Sequence, residues 1–123
     1  MVEPGSLAAK TVASAWMQTK PAANQGDLDV AFRLDPNILD GRYANNGWMQ
    51  EIPDPITKLT WDNAALISPA TARELRLKDG AVIEISLEKR TLEIPVLISP
   101  GHADRSISIA LGYGRSHTGR VGT

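Results

Sequence analysis

The sequence predicts a small, mainly β domain whose short strands close into a barrel around one intervening helix. Three observations predict it. Apolar residues alternate with polar ones in several short runs, turn-forming residues separate those runs, and only one internal stretch begins as a helix should. Six or seven short strands with a single intervening helix favour a closed barrel, because closure removes unpaired strand edges.

Residues 1–26 read as a unit apart from the rest. Leu7, Val12, Ala15 and Trp16 share one side of a helix over residues 6–19, with Ser6 as its N-cap. Pro21 and the Ala22-Ala23-Asn24-Gln25-Gly26 tract then turn the chain into a linker. The terminal position predicts loose packing, with Trp16 marking a contact made elsewhere.

Residues 27–123 form the barrel domain. Leu28, Val30, Phe32 and Leu34 alternate with Asp29, Ala31 and Arg33, the period of a half-buried first strand. Asp35-Pro36-Asn37 turns the chain, and Gly41, Gly47, Pro53 and Pro55 are too closely spaced for a long regular element. Loops of this length in small domains are functional or disordered. Because Tyr43, Trp48, Met49 and Ile52 are costly to leave in water, the expectation is an ordered loop packed on something.

Residues 57–61 and 65–67 are short strand candidates flanking Asp62-Asn63. Ser68-Pro69 starts a helix that runs to about residue 76, with a hydroxyl N-cap and proline in the first turn. Lys78-Asp79-Gly80 turns into a strand over 82–87, and Glu88-Lys89-Arg90 joins it as a hairpin to a strand over 92–98. Ile83, Ile85 and Leu87 share a face of the first, as do Leu92, Ile94, Val96 and Ile98 of the second. Pro95, on the opposite face, lacks a backbone donor and predicts an edge or a bulge there. Ile107, Ile109 and Leu111 mark the last strand.

Composition narrows the chemistry. With 13 basic against 14 acidic residues the chain offers no basic field to nucleic acid, and no apolar run approaches the roughly 18 residues of a membrane span. The absence of cysteine excludes disulfides, thiolate metal sites, cysteine-held iron–sulfur clusters and a cysteine nucleophile within this chain. His102 and His117 have no third ligand at metal spacing, and Ser68, Ser99 and Ser116 lack the surroundings of a nucleophile elbow.

Several motifs follow one another in a telling order. Gly41-Arg42-Tyr43-Ala44-Asn45-Asn46-Gly47-Trp48-Met49-Gln50-Glu51-Ile52-Pro53-Asp54-Pro55 comes first, then Leu66-Ile67-Ser68-Pro69-Ala70-Thr71-Ala72, Lys78-Asp79-Gly80, Pro100-Gly101-His102 and Gly112-Tyr113-Gly114-Arg115. In this order they resemble the C-terminal, dinucleotide-binding domain of the molybdopterin oxidoreductase family. The run from Asn45 to Pro55 is most similar to the iron–sulfur, molybdopterin-oxidoreductase-like subunit of bacterial alternative complex III. The resemblance implies a six-stranded double-psi β-barrel. It also implies a fragment, since the chain stops in mid-loop where the family continues. The parent it implies is a bacterial oxidoreductase or oxidoreductase subunit with iron–sulfur clusters elsewhere, membrane-associated on the periplasmic face. The partners would be the parent's other domains and the remaining subunits of a respiratory electron-transfer complex, and the isolated chain would not be catalytic.

In that family the domain holds part of a bis-molybdopterin guanine dinucleotide cofactor. Such a ligand calls for glycine-turn N–H groups, arginine forks and amide side chains. The candidate cofactor-binding residues are Arg42, Asn45, His102 and Arg115. Each has a plainer reading. Asn45-Asn46-Gly47 suits a turn with positive φ; Arg42 and Arg115 can be solvated or paired with Asp40 or Asp104; His102 can be a turn histidine, since a residue two before Asp104 on an extended segment is not placed to contact it. Resemblance to the alternative complex III branch implies that the cofactor has been lost, with Trp48 and Met49 filling the vacated pocket and the domain serving as scaffold. Retained binding of molybdopterin guanine dinucleotide and a free-standing, protein-binding barrel are the two alternatives.

Overall fold

In the computed structural model, residues 28–87, 89–115, 117 and 119–121 are described. The helix and linker expected over residues 1–26 lie outside them. The strands are β1 (Asp29–Arg33), β2 (Ala65–Ile67), β3 (Val82–Leu87), β4 (Arg90–Ile98) and β5 (Ser106–Ala110), with helices α1 (Gly47–Glu51) and α2 (Pro69–Glu74). The fold is mainly β. Among the described residues it is one five-stranded sheet, in the order β1-β5-β2-β4-β3, curled into a half-barrel.

The sheet is mixed. β1 runs parallel to β5 with Arg33 opposite Ala110, and β2 runs parallel to β4 with Ala65 opposite Val96. β2 is antiparallel to β5, and β3 is antiparallel to β4 with Leu87 already paired to Arg90, one residue tighter than the expected hairpin. Alternation puts Ile94 and Val96 of β4 and Ile107 and Ile109 of β5 on one face, where they form the core with Ala65, Ile67 and Ala72. Leu28, Val30, Ile83 and Ile85 border that core and are only partly buried, because β1 and β3 are the two edges of the sheet.

α2 begins as its sequence predicts. Ser68 is its N-cap, accepting from the Thr71 N–H at 3.0 Å, with proline in the first turn. The same hydroxyl donates to Asp104 at 2.5 Å, and Thr71 Oγ1 accepts from the Arg105 N–H at 2.8 Å, so the cap also ties α2 to the β4–β5 connection. Pro95 lies beside a bulge. Gly80, with φ of 78°, donates to Val96 O, while Val96 N donates to Ala81 O, so two residues oppose one. Val82 and Pro95 then form a pair without ladder hydrogen bonds, and the missing N–H of the proline costs β3 nothing.

Two local expectations need correction. Residues 57–61 are not a strand: Lys58 and Trp61 have φ of 63° and 62°, and Asp54 draws the chain into a turn through Asp54 N to Leu59 O and Lys58 N to Asp54 O. Residues 45–47 are not a positive-φ turn either. Asn46, at φ −97°, caps α1 by accepting from the Trp48 N–H at 3.1 Å.

Candidate functional site

The parallel pairing of β1 with β5 decides what meets where. Both chains leave the sheet at the same end, Leu111 N bonds Arg33 O at 2.9 Å, and the following loops run side by side. They touch at two glycines. Gly41 has φ of 93° and Gly112 φ of 105°, and a Cβ on Gly112 would sit 2.7 Å from Gly41 N. Only a pair without side chains permits that approach. Across it, Arg115 Nη1 donates to Gly41 O.

Around this contact Arg42, Asn45 and Arg115 line one cavity of about 200 Å³ together with Gly41, Ala44, His117 and Gly119. Three of the four predicted residues are thus brought together. Each is committed to the chain itself. Arg42 holds Asp40 in a two-pronged pair, Nε to Oδ1 at 3.0 Å and Nη2 to Oδ2 at 2.9 Å, and its backbone N–H adds a third bond at 3.1 Å. The hydrogen bonds from Arg42 hold the Asp40 carboxyl well below the usual carboxylate range, and Asp40 raises the guanidinium in return. Asn45 Oδ1 accepts from Val121 N at 3.0 Å, and a Cβ on Gly119 would collide with the Asn45 carboxamide.

His102 stands elsewhere. Its Nδ1 lies 3.0 Å from Ala103 O and its Nε2 lies 2.8 Å from Ser108 Oγ. A carbonyl only accepts, so Nδ1 donates to it, and Nε2 pairs with the serine hydroxyl. Asp104 binds Ser68, not His102 or Arg115. His102 is therefore the turn histidine, tied to the exposed-face serine of β5, and it does not line the cavity of the other three.

Trp48 does not fill that cavity. It is 84% exposed, and the buried residue of α1 is Gln50, whose Nε2 donates to Ala44 O at 3.0 Å. Trp48 therefore does not take the pocket-filling place expected of it, whereas Met49 is half-buried. Ile38 and Ala44 of the loop are buried, and polar groups tie the rest.

Asp35 and Asp54, both buried and both followed by proline, perform the same task. Asp35 Oδ1 accepts from Asn37 N and Ile38 N at 2.8 and 2.9 Å; Asp54 Oδ1 accepts from Ile56 N and Thr57 N, both at 2.7 Å. Proline supplies no N–H at the next position, so the carboxylate takes the two amides beyond it. Asp35 Oδ2 also accepts from the Tyr113 hydroxyl at 3.2 Å, and Arg33 Nη2 lies 3.8 Å from Asp54 Oδ2. Burial, reinforced by the Asp35 charge, pushes the Tyr113 phenol up to about 12. These residues line a hollow of about 10 Å³, room for no more than a water-sized guest, so it is a structural joint and not a substrate site. The repeated Asp-Pro dipeptide was the available sequence signal for it.

Burial pushes the Asp54 carboxyl up, but the hydrogen bonds from Thr57 and Ile56 outweigh it and its pKa falls below the ordinary value. A folded-state pKa below the unfolded one stabilises above the unfolded value, near 3.9, and that stabilisation is lost as pH falls through the lower folded value. Asp54→Ala is therefore expected to cost about 1.5–3 kcal/mol at neutral pH, the range for hydrogen bonds to a charged group. Urea titrations at several pH values check it: the difference between wild type and variant should shrink in strong acid. A difference that stays constant with pH would show that the carboxylate charge is irrelevant.

No family model matches the chain, and no curated protein matches it.

Proposed function

We propose that this chain is the C-terminal barrel domain of a molybdopterin-oxidoreductase-like subunit of a respiratory electron-transfer complex, of the alternative complex III kind. Its role is scaffold. The observation that carries this reading is the outward face of the loop: Trp48 at 84% and Ile56 at 82% exposure, with Ile52 and Tyr43 half exposed. Apolar groups of that size left in water mark a surface built to be covered, here by the parent's other domains or subunits. A sixth strand from the rest of the parent would complete the half-barrel as a double-psi barrel.

Molybdopterin guanine dinucleotide does not fit the residues as they stand. Arg42 is engaged by Asp40, Asn45 by the backbone of Val121 and Arg115 by Gly41 O, while His102 faces Ser108. The cavity among the first three, about 200 Å³, is below the 300–1,000 Å³ typical of sites for drug-sized ligands. No step of a reaction is assigned to this chain. Titrating the isotopically labelled chain with a guanine nucleotide is expected to leave the amide signals of Arg42, Asn45 and Arg115 unmoved. Joint, saturable shifts of these three would overturn the scaffold reading in favour of cofactor binding, and pterin extracted from the full-length parent would do the same.

A further inference from the structure

Two buried polar atoms of the Asp35 and Asp54 joint are left over. Arg33 Nε and Gln50 Oε1 are both shut off from solvent, and neither has a hydrogen-bond partner among the described residues. The other ends of the same groups are engaged. Arg33 Nη2 lies 3.8 Å from Asp54 Oδ2, and Gln50 Nε2 donates to Ala44 O at 3.0 Å. Turning the Gln50 carboxamide over would only set its oxygen against the Ala44 carbonyl, acceptor against acceptor, so the orientation is fixed and Oε1 is the atom left without a donor. Buried donors and acceptors in folded proteins are nearly all satisfied, by protein or by ordered water.

We infer that the hollow among Arg33, Asp35, Gln50, Asp54 and Tyr113 is a binding site for one ordered water molecule, which accepts from Arg33 Nε and donates to Gln50 Oε1. Size is the first reason. Both residues line this hollow, and its volume of about 10 Å³ is that of roughly one water-sized probe, the least that holds a water. Chemistry is the second. The unmet pair is one donor and one acceptor, and water both accepts and donates. A cation would have nothing to take from Arg33 and would meet its guanidinium, whereas an anion would have nothing to give Gln50 and would meet the carboxylates of Asp35 and Asp54. A buried water makes about three bonds, and the same carboxylates supply acceptors for its second O–H.

The position gives the water its role. Arg33 is the last residue of β1 and Gln50 lies in α1, so the bridge ties the end of an edge strand to the helix that carries Trp48. No item of that link is local in sequence. The inference goes beyond the scaffold reading and does not rest on it.

In the isotopically labelled full chain, rotating-frame spectra are expected to show a contact between Arg33 Hε and a proton at the water frequency, with the sign of a dipolar contact and not that of chemical exchange. Tyr113→Phe removes an exchanging hydroxyl from the same wall and should keep the contact. Gln50→Met removes the acceptor at similar side-chain length and should abolish it. Absence of the contact in the unaltered chain would overturn the proposal, as would a direct contact between Arg33 Hε and the Gln50 carboxamide in its place. Loss in Tyr113→Phe would assign the signal to the phenol proton, and persistence in Gln50→Met would remove Gln50 from the site; either result sinks the bridge. Should Gln50→Met fail to fold, the unaltered chain and Tyr113→Phe decide the question between them. The guanine-nucleotide titration has no bearing on these outcomes.

Discussion

Ile94→Ala is expected to lower the unfolding free energy by about 2–5 kcal/mol, as large-to-small changes in a closed core do. Ile67→Ala should fall in the same range. Ile94 is 5% exposed and Ile67 fully buried, and both sit among Val96, Ile107 and Ile109 where sheet and α2 meet. The loss combines the transfer energy of the deleted carbons with a cavity that a β-ladder on both sides cannot collapse; β4 is held by β2 and β3, and β2 by β4 and β5. Against a total stability of about 5–15 kcal/mol for a domain of this kind, that is a large share. Ile85→Ala should cost less. The sequence treats Ile85 and Ile94 alike, but Ile85 lies on an edge strand and is only partly buried. Glu84→Ala and Lys89→Ala, at exposed positions, should change stability by no more than about 0.5 kcal/mol. Urea midpoints at unchanged slope check the ranking. Overlap of the Ile94 and Glu84 variants would show that the assigned inward face is wrong.

The comparison of Ile85 with Ile94 shows how far the residues could be read without the fold. Period-two alternation placed β1, β3, β4 and β5 to within a residue or two and chose their inner faces, because that pattern is a local property of a pleated backbone. It could not tell which strands are neighbours. The parallel pairings of β1 with β5 and β2 with β4 are contacts between distant segments, and they decide which strands become edges. Ser68-Pro69 announced α2 through a local cap. Asn46 is an equally local cap, but its reading as a turn competed with it, and α1 is a little over one turn long. Residues 57–61 looked like a strand because Thr57, Leu59 and Trp61 alternate with Lys58 and Thr60. The Asp54 carboxylate, three residues outside that window, captured the amides instead.

The candidate site was legible in part for the same reason. Arg42, Asn45 and Arg115 follow strands that prove to be parallel neighbours or lie on the loop between them, so their residue types do converge on one cavity. His102 follows β4, and its ring is fixed by a serine six residues ahead on β5. The polar joint of Asp35, Gln50, Asp54 and Tyr113 is not a local pattern, because its longest bond spans residues 35 to 113. Hydrophobic patterning searches for buried apolar groups. Here buried polar groups tie the loop beside buried Ile38 and Ala44, and its larger side chains Tyr43, Trp48 and Ile52 face outward.

Gly112→Val is expected to destabilise by about 2–5 kcal/mol and to separate the two loops that carry Arg42, Asn45 and Arg115. Two costs combine. A side chain at φ of 105° adds about 1–2 kcal/mol of backbone strain, and overpacking a closed contact adds about 1–3 kcal/mol. The second is severe here because the atoms met are backbone: Gly41 N at 2.7 Å and Gly41 Cα at 2.8 Å, with Ile38 Cδ1 at 3.1 Å behind them. A flexible side chain could swing aside, whereas the Gly41 backbone is held by its own bond to Ile38 O at 3.0 Å and by Arg115. Gly80→Ala isolates the strain. Gly80 has φ of 78° with nothing within 4 Å of a built Cβ, so only the backbone cost applies, about 1–2 kcal/mol. The separation predicted for Gly112→Val should also break the Tyr113 bond to Asp35 and bring the Tyr113 phenol down from about 12 toward its ordinary value near 10. Denaturant midpoints for the two variants, with an ultraviolet titration of the tyrosines, test both parts. If Gly112→Val proved no more costly than Gly80→Ala and left the phenol titration unchanged, the loops would not be clasped through these glycines.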